Sequence, residues 1–250
     1  MIHRVVLIAG CMMGAIGTVS PPPAVTLNRI EAAMRGLDSA GFRGSYVVTT
    51  RSVVSKPSGS KREETVTVVT VTDRKGSEPE KALVRAERNG KDVTVAMREK
   101  LAKKWQKESR NPTSGSSADR SSGNEEDGHS TSLTLPGAAE LAAYRFTPVT
   151  NTDSVVVVKL QAEDDTSNSA GSGRMAWNPT TLDPLWLEFT PHKNPQFIKA
   201  ISLRVEFARA GRFVYPERMV TDGRGGMLFI KRTFHVETKI DGLKPAEGSS

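Results

Sequence analysis

Alternating runs of Val and Thr constrain the fold of this chain more than any other feature of its sequence. Two of them, GSYVVTTRSVV (44–54) and TVTVVTVTD (65–73), are separated from their neighbours by strand-breaking residues such as Gly, Pro, Asn and Asp. β-branched side chains favour an extended backbone and fit the pleated surface of a sheet. Similar short apolar runs recur to about residue 240, so the sequence predicts a fold that is mainly β.

The first strands are predicted to pair with their neighbours along the chain. Asn89-Gly90 lies between KALVRAER (81–88) and DVTVAMR (92–98), and this dipeptide favours a tight two-residue hairpin. Both flanking segments are therefore predicted to be strands of an antiparallel meander. The basic segment REKLAKKWQKESR (98–110) is predicted to continue out of the last strand as a short helix.

The second half of the chain repeats the period of two. SVVVVKLQAE (154–163) is almost wholly apolar and is predicted to be a strand buried on both faces. The glycine-rich segment 223–226 precedes another apolar run, which favours a hairpin turn. In two further strands, apolar residues at every second position share one face: Leu185, Leu187 and Phe189, then Ile201, Leu203, Val205 and Phe207. Because a sheet this long twists and curls, we expect a strongly curved antiparallel sheet, an incomplete barrel.

One amphipathic helix is predicted ahead of the strands. After the Pro-rich linker 20–25, Thr26 is expected to cap a helix that runs to about Ser39. Its apolar residues recur at three- and four-residue spacing: Leu27, Ile30, Met34 and Leu37. Such a stripe must lie against another apolar surface, so the helix is predicted to cover the sheet. The fold class is therefore α+β, mainly β.

The N-terminal residues indicate export. Residues 1–19 combine Arg4 with an apolar run that is shorter than a bilayer-spanning helix, as in a secretory signal peptide cut after Gly17. An uncleaved anchor or a buried helix is the alternative interpretation. Ile8-Ala9-Gly10-Cys11 also resembles a lipobox, at which cleavage would leave an acylated cysteine that tethers the chain to a membrane. The predicted location is the periplasm, either free or tethered through Cys11.

Cysteine usage restricts the chemistry of the mature chain. Cys11 is the only cysteine, so cleavage after Gly17 leaves none for disulfides or thiol catalysis. An exported chain of this kind must be held together by its own core.

A polar segment divides the strand-rich sequence. Residues 107–132 contain almost no apolar side chains and are predicted to form a disordered insertion, because they cannot bury enough surface to offset their ordering entropy. A single domain over 26–242 with a flexible tail at 243–250 is favoured, since either half alone would be a half-open sheet. A linker between two domains is the competing interpretation.

The sequence contains no convincing catalytic or metal-binding set. His129, His192 and His235 lack the spacing of metal ligands, and the acidic runs 125–127 and 163–165 lie in polar loops. We therefore predict no enzyme activity, no metal and no cofactor. A secreted hydrolase is a third, disfavoured hypothesis. Trp177 and Trp186 flank a turn and form either a cross-strand pair or an aromatic rim for an apolar ligand.

The net charge of +7 indicates partners of a limited kind. Basic residues are scattered along the predicted strands rather than clustered, which argues against nucleic-acid binding. Scattered positive charge instead favours attraction of the protein to anionic lipid surfaces, so peripheral membrane contact is predicted.

The order of these elements resembles the LolA/LolB-like superfamily of periplasmic lipoprotein-sorting proteins. The resemblance extends over about residues 26–240 and lies in the helix, the NGKDV meander, the polar insertion, LPG…YRF, the WNPTTL hairpin, PHKNP and GRFVYPERM. It implies a half-barrel whose apolar cavity, covered by helices, holds the acyl chains of a lipid or lipoprotein. The sequence shows one covering helix where the family's carriers have several.

The resemblance implies a carrier without covalent chemistry. With the cavity placed between helix and sheet, the predicted ligand-binding residues are Leu27, Ile30, Met34, Leu37, Trp186, Phe189 and Phe207. His192 and Lys193 are predicted to lie at the rim, where they could steer an anionic lipid or a partner. The alternative hypothesis is an envelope sensor or protein-interaction module on the same fold, with residues 98–132 as its contact elements.

Overall fold

The computed structural model describes residues 22, 24–37, 41–56, 62–74, 79–110, 138–164, 170–194, 197–227 and 230–246. The predicted signal peptide, Cys11 and residues 111–132 of the predicted insertion lie outside these ranges. The three helices are α1 (Ala24–Met34), α2 (Thr94–Arg110) and α3 (Ala138–Leu141). The strands are β1 (Gly44–Ser55), β2 (Arg62–Asp73), β3 (Glu80–Arg88), β4 (Lys91–Asp92), β5 (Tyr144–Asn151), β6 (Val156–Ala162), β7 (Gly171–Trp177), β8 (Pro184–Pro191), β9 (Ile198–Ala210), β10 (Phe213–Met227) and β11 (Ile230–Pro245).

All described strands belong to one antiparallel sheet, which confirms the mainly β prediction. Its order is β4-β3-β2-β1-β11-β10-β9-β8-β7-β6-β5, so β1 pairs with β11 and joins the strands before and after residues 111–137. The sheet is not closed into a barrel, since β4 and β5 are its two edges. Strands that are neighbours in the sheet are also consecutive along the chain, except for the β1–β11 pair.

The Asn89-Gly90 hairpin is confirmed, but the strand predicted after it is wrong. Asn89 and Gly90 have φ angles of 52° and 76°, as the tight turn requires. Only Lys91 and Asp92 then pair with β3, and α2 begins at Thr94. The Asp92 carboxylate accepts the backbone N–H of Thr94 at 2.7 Å. This local side-chain bond overrides the β propensity of Val93 to Val95 and starts a helix that includes residues 107–110.

The glycine-rich segment 223–226 is not the predicted hairpin turn but part of β10. A Cβ atom on Gly223 would lie 2.1 Å from Cζ of Phe234 on β11, and one on Gly225 would lie 2.4 Å from the backbone oxygen of Phe197. These glycines therefore allow an aromatic ring and a neighbouring loop to approach the strand closely.

Helix α1 is shifted relative to the prediction. It begins at Ala24, so the linker is shorter than 20–25, and Thr26 lies inside the helix, fully buried, rather than at its cap. It ends at Met34 instead of about Ser39, because Gly36 adopts a φ of 87°. At the other terminus, β11 continues to Pro245, three residues into the predicted flexible tail.

The core consists of two clusters on one side of the sheet. Cluster 1 joins α1 and α3 to strands β5 to β9, and cluster 2 joins Leu37 and Phe42 to β1, β2, β10 and β11. Strand β6 was predicted to be buried on both faces, and this is wrong. Val158 and Leu160 are buried in cluster 1, whereas Lys159 and Gln161 are exposed, so β6 has one solvent face.

Candidate functional site

The inner face is the face of the sheet that carries both core clusters. Residues directly opposite each other in an antiparallel pair point to the same face. Tyr46 and Ile240 belong to cluster 2, and the register places Val48 opposite Ile240 and Thr50 opposite Thr238. The same alternation identifies the inner-facing residues along the rest of β1, β2, β10 and β11.

Part of the inner face is uncharged and only half-buried. We call this part the inner strip, and it extends over four neighbouring strands beyond the core clusters. Its side chains are all apolar or hydroxyl-bearing: Val48, Thr50, Ser52 and Val54 on β1, Thr65, Thr67 and Val69 on β2, Met219 and Thr221 on β10, and Phe234, Val236 and Thr238 on β11.

The inner strip changes polarity across the strands. One cross-strand row runs from Thr67 through Thr50 and Thr238 to Met219 and then Val205. The hydroxyl oxygens of Thr50 and Thr238 lie 3.4 Å apart in the middle of this row. Hydroxyl groups are thus more frequent toward β1 and β2, whereas Met219 and Val205 make the β10 and β9 end of this row apolar.

The opposite, outer face carries a ladder of ion pairs. Glu188 bridges Arg174 and Arg204 at 2.8 and 2.9 Å, and Glu206 connects Arg204 to Arg218. The ladder ends at Glu237, whose carboxylate accepts a hydrogen bond from Arg218 Nε at 2.7 Å. This bond lowers the pKa of the Glu237 carboxyl. The outer face is therefore charged and paired, whereas the inner strip is uncharged and is followed on the inner face by Glu63 on β2 and Arg232 on β11.

A groove of about 570 Å³ opens mainly on the outer face. Its polar lining includes Ser55, Ser202, Arg224 and Thr233. His235 Nδ1 lies 2.7 Å from Asp222 Oδ1 within the same groove.

The predicted binding residues of α1 are fixed in the core. Leu27 and Ile30 are buried in cluster 1, and Met34 packs half-buried against it. Leu37 lies beyond the helix and is buried in cluster 2.

Polar contacts hold α1 on both sides. Arg29 donates a hydrogen bond to the backbone oxygen of Thr181 and lies 3.7 Å from the Asp183 carboxylate. On the other side, Glu31 accepts the backbone N–H of Ala138 at 3.1 Å.

The predicted aromatic residues are distributed over both faces. Phe189 is buried in cluster 1, and Phe207 packs half-buried against that cluster. Trp186 pairs with Glu206 and Ala176, on the face opposite to Leu187, so it cannot line an inner cavity. Trp177 lies opposite Pro184, so the two tryptophans do not form the predicted cross-strand pair.

His192 and Lys193 lie in the connection between β8 and β9. His192 donates its backbone N–H to Ala170 at 2.8 Å, and its Nε2 lies 3.3 Å from the side-chain nitrogen of Gln161. The connection therefore folds back onto the ends of β6 and β7.

Two features are absent from the described part of the chain. There, no group of three or more His, Cys, Asp or Glu side chains could hold a metal ion. None of the helices in that part is long and apolar enough to cross a membrane.

Several solved structures match the chain over most of its length. A domain from Vibrio parahaemolyticus described as an outer membrane lipoprotein-sorting protein matches at 12% identity and a TM-score of 0.35, covering 86% of this chain and 94% of that domain. A DUF1329 family protein from Desulfovibrio piger matches at 9% identity and a TM-score of 0.34, covering 93% and 96% of the two chains.

A structure of the MucA/MucB complex of Pseudomonas aeruginosa also matches. The identity is 10% and the TM-score 0.22, with coverage of 87% of this chain and 93% of that one. No protein-family model matches the sequence, and no curated protein does. Identities of 12% or less with TM-scores below 0.5 do not define a function.

Sequence reasoning missed the inner strip because both faces of β1 carry Val and Thr. Val47 and Val48 are adjacent and indistinguishable by composition, and only the pairing of Val48 with Ile240 identifies the inner one. A signal was nevertheless present. Most charged residues of β1 and β11, such as Arg51, Glu237 and Lys239, point to the outer face. Arg232 is an exception, because it lies two residues before the inner-facing Phe234 on β11.

Proposed function

We propose that this chain is a carrier-type protein of the periplasm that binds a lipid or the acyl chains of a lipoprotein. One observation carries the proposal: the inner strip is uncharged and half-exposed over four neighbouring strands. Exposed apolar surface of this extent is typical of a binding site, because burying it in a partner releases water from both surfaces.

The chemistry of the strip suits an alkyl chain. Each methylene moved from water onto an apolar surface contributes about 0.8 kcal/mol, so a fatty acyl chain can be held without a catalytic residue. The Val and Phe side chains of β1 and β11 supply that surface, and the neighbouring core clusters form a rigid boundary. We place the acyl chain along the inner strip, with the half-buried Met34 and Phe207 at its border and α1 as a cover.

The change in polarity along the strip gives the ligand a direction. The apolar end of a lipid would lie toward β9 and β10, where Met219 and Val205 continue the row. The ester or carboxyl end would lie over Thr50, Thr67 and Thr238, whose hydroxyls can donate to an oxygen.

The proposed place of action rests on the N-terminal sequence. Residues 1–19 support export, and Cys11 supports a lipid tether at the membrane. Intact mass of the protein from soluble and membrane fractions distinguishes a cleaved, free chain from an acylated one.

A pair of adjacent residues on β1 provides a matched test of the carrier function. Val54 points to the inner face opposite Phe234, whereas Val53 points to the outer face opposite His235, and both are half-buried. Val54→Gln should weaken uptake of a fluorescent fatty acid about tenfold, because it places an amide in the strip. Val53→Gln should leave uptake unchanged. Equal effects of the two substitutions, or no uptake by the unmodified protein, would contradict the proposal.

The second candidate is an envelope sensor or protein-interaction module. Helix α2 favours it, because the helix is held to the sheet through β3, by the Thr94 contact to Ala86 and the Arg98 contact to Leu83. Its segment 98–110 contains six basic and two acidic residues, which suits an acidic protein surface. Deleting residues 111–132 and reversing the charge of Lys103 should then abolish partner pull-down and leave fatty-acid uptake intact.

A further inference from the structure

Phe197 is an exposed aromatic residue in a backbone conformation that does not suit it. Its φ angle is 68°, in the left-handed region where Gly and Asn are favoured, and half of its surface (51%) remains exposed. A non-glycine residue in this region costs on the order of 1 kcal/mol or more. Neither local geometry nor core packing therefore accounts for a phenylalanine here.

The surrounding backbone holds this conformation in place. The backbone oxygen of Phe197 accepts the N–H of Gly226 at 2.8 Å, and the absence of a side chain on Gly225 allows that approach. The Asn194 side chain donates to the backbone oxygen of Lys199 at 3.1 Å. The ring of Phe197 is thus presented to solvent by a constrained loop at the end of β10.

Three exposed cations surround the same loop. Lys199 follows two residues after Phe197, Arg224 lies opposite Ala200, and Lys231 lies opposite Gly226. Among the described residues, none of the three has an acidic group within ion-pair distance. In the ion-pair ladder, by contrast, Arg174, Arg204 and Arg218 are all paired.

We infer that this basic tip, formed by Phe197, Lys199, Arg224 and Lys231, docks the protein onto an anionic lipid bilayer. Cations near an anionic membrane are attracted to its surface, and an aromatic ring can enter the region between headgroups and acyl chains. The basic tip has both features, because its unpaired cations surround a single exposed aromatic ring. The inference goes beyond the carrier function and does not depend on what the inner strip holds.

The outer groove adds a feature that suits the same surface. Arg224 is part of its lining, together with the hydroxyl-bearing Ser55, Ser202 and Thr233. A guanidinium with several hydroxyls next to it can bind the oxygens of a lipid phosphate.

Co-sedimentation of the full chain with vesicles tests the inference. Vesicles containing phosphatidylglycerol are compared with vesicles of phosphatidylcholine alone, which report any binding through the apolar N-terminal residues. The wild-type protein should bind the anionic vesicles more tightly, and added salt should weaken that binding. Lys199→Glu with Lys231→Glu should lower the affinity at least about tenfold.

The matched control reverses the charge of two lysines elsewhere on the sheet. Lys81→Glu with Lys91→Glu changes the net charge equally at exposed positions of β3 and β4. This variant should keep most of the affinity for anionic vesicles. Equal losses in the two double variants would show general charge attraction and overturn the tip as the docking site, as would undiminished binding after reversal of Lys199 and Lys231.

The substitution Phe197→Asn distinguishes the effect of Phe197 on membrane binding from its effect on the stability of the fold. Asn tolerates a positive φ, so the variant should be as stable as the wild type or more stable. Its binding to anionic vesicles should nevertheless fall about threefold or more, because the ring is lost. A variant that binds vesicles as well as the wild type would show that Phe197 does not enter the bilayer. Val54→Gln should leave vesicle binding intact even if the carrier proposal is wrong.

Discussion

The hydroxyl groups of Thr50 and Thr238 lie 3.4 Å apart across the β1–β11 pair, in the middle of the inner strip. At this distance the bond between them is weak, so both groups remain available to a ligand oxygen. The pair marks the transition from the hydroxyl-rich to the apolar side of the strip.

Replacing both threonines with valine tests the proposed direction of the ligand. Thr50→Val with Thr238→Val keeps the shape of the surface and removes two hydroxyls. Fatty-acid affinity should fall about threefold to tenfold, as expected for the loss of a net hydrogen bond. Fluorescence titration measures this change. Affinity that is unchanged or higher would show that the polar end of the ligand lies elsewhere.

Gly223 should be intolerant of any side chain. Its missing Cβ would lie 2.1 Å from the ring of Phe234, so Gly223→Ala should reduce the free energy of unfolding by about 1–3 kcal/mol through overpacking. Chemical denaturation measures the loss. In a Phe234→Ala background the same substitution should cost much less, and an undiminished cost would show that the ring is not the cause.

The ion-pair ladder should make stability depend on pH through Glu237. Its hydrogen bond from Arg218 lowers the pKa of the folded carboxyl below 4.5, so the folded state binds its proton less readily than the unfolded state. The stabilisation is therefore complete above the unfolded pKa and is lost as the pH falls through the folded pKa.

Denaturation curves at neutral and acidic pH check this dependence. Glu237→Gln should be less stable than the wild type near neutrality, and the difference should shrink in acid. Glu217→Gln, at an exposed carboxylate that forms no ion pair with the described residues, should not change the acid dependence. A constant difference between Glu237→Gln and the wild type would contradict the assignment.

Tyr144 should produce the opposite dependence at alkaline pH. Burial in cluster 1 raises the pKa of this tyrosine from 10.0 to about 12. The folded state keeps the proton that the unfolded state loses, so stability should fall as the pH rises from about 10 toward 12. Tyr144→Phe should flatten that decline in unfolding experiments. If the variant and the wild type decline in parallel, Tyr144 is not the titrating group.

Local patterns in the sequence were sufficient for the antiparallel sheet and for the turn at Asn89-Gly90. They failed where a tertiary or side-chain contact decided the outcome. Thr94 and Val95 have β propensity, yet the Asp92 bond to Thr94 starts a helix. The glycines at 223 and 225 are typical of a turn, yet they are needed inside β10 by Phe234 and Phe197.

The residues of the candidate site could not be predicted from the sequence of any single strand, because the register between strands decides which side chains share a face. Leu27, Ile30 and Phe189 were predicted to line a cavity, and they lie in the packed core. Trp186 was predicted with them, but the register turns it to the outer face. The inner face of β1 can be identified only after β1 has been paired with β11, because the two faces of β1 have similar composition.

Native mass spectrometry of the protein purified from its envelope fraction is the most direct test of the carrier function. A carrier should be recovered with a non-covalently bound acylated molecule, with less of it bound to Val54→Gln than to Val53→Gln. Protein that is empty in every preparation and takes up no fatty acid in solution would show that the chain is not a carrier.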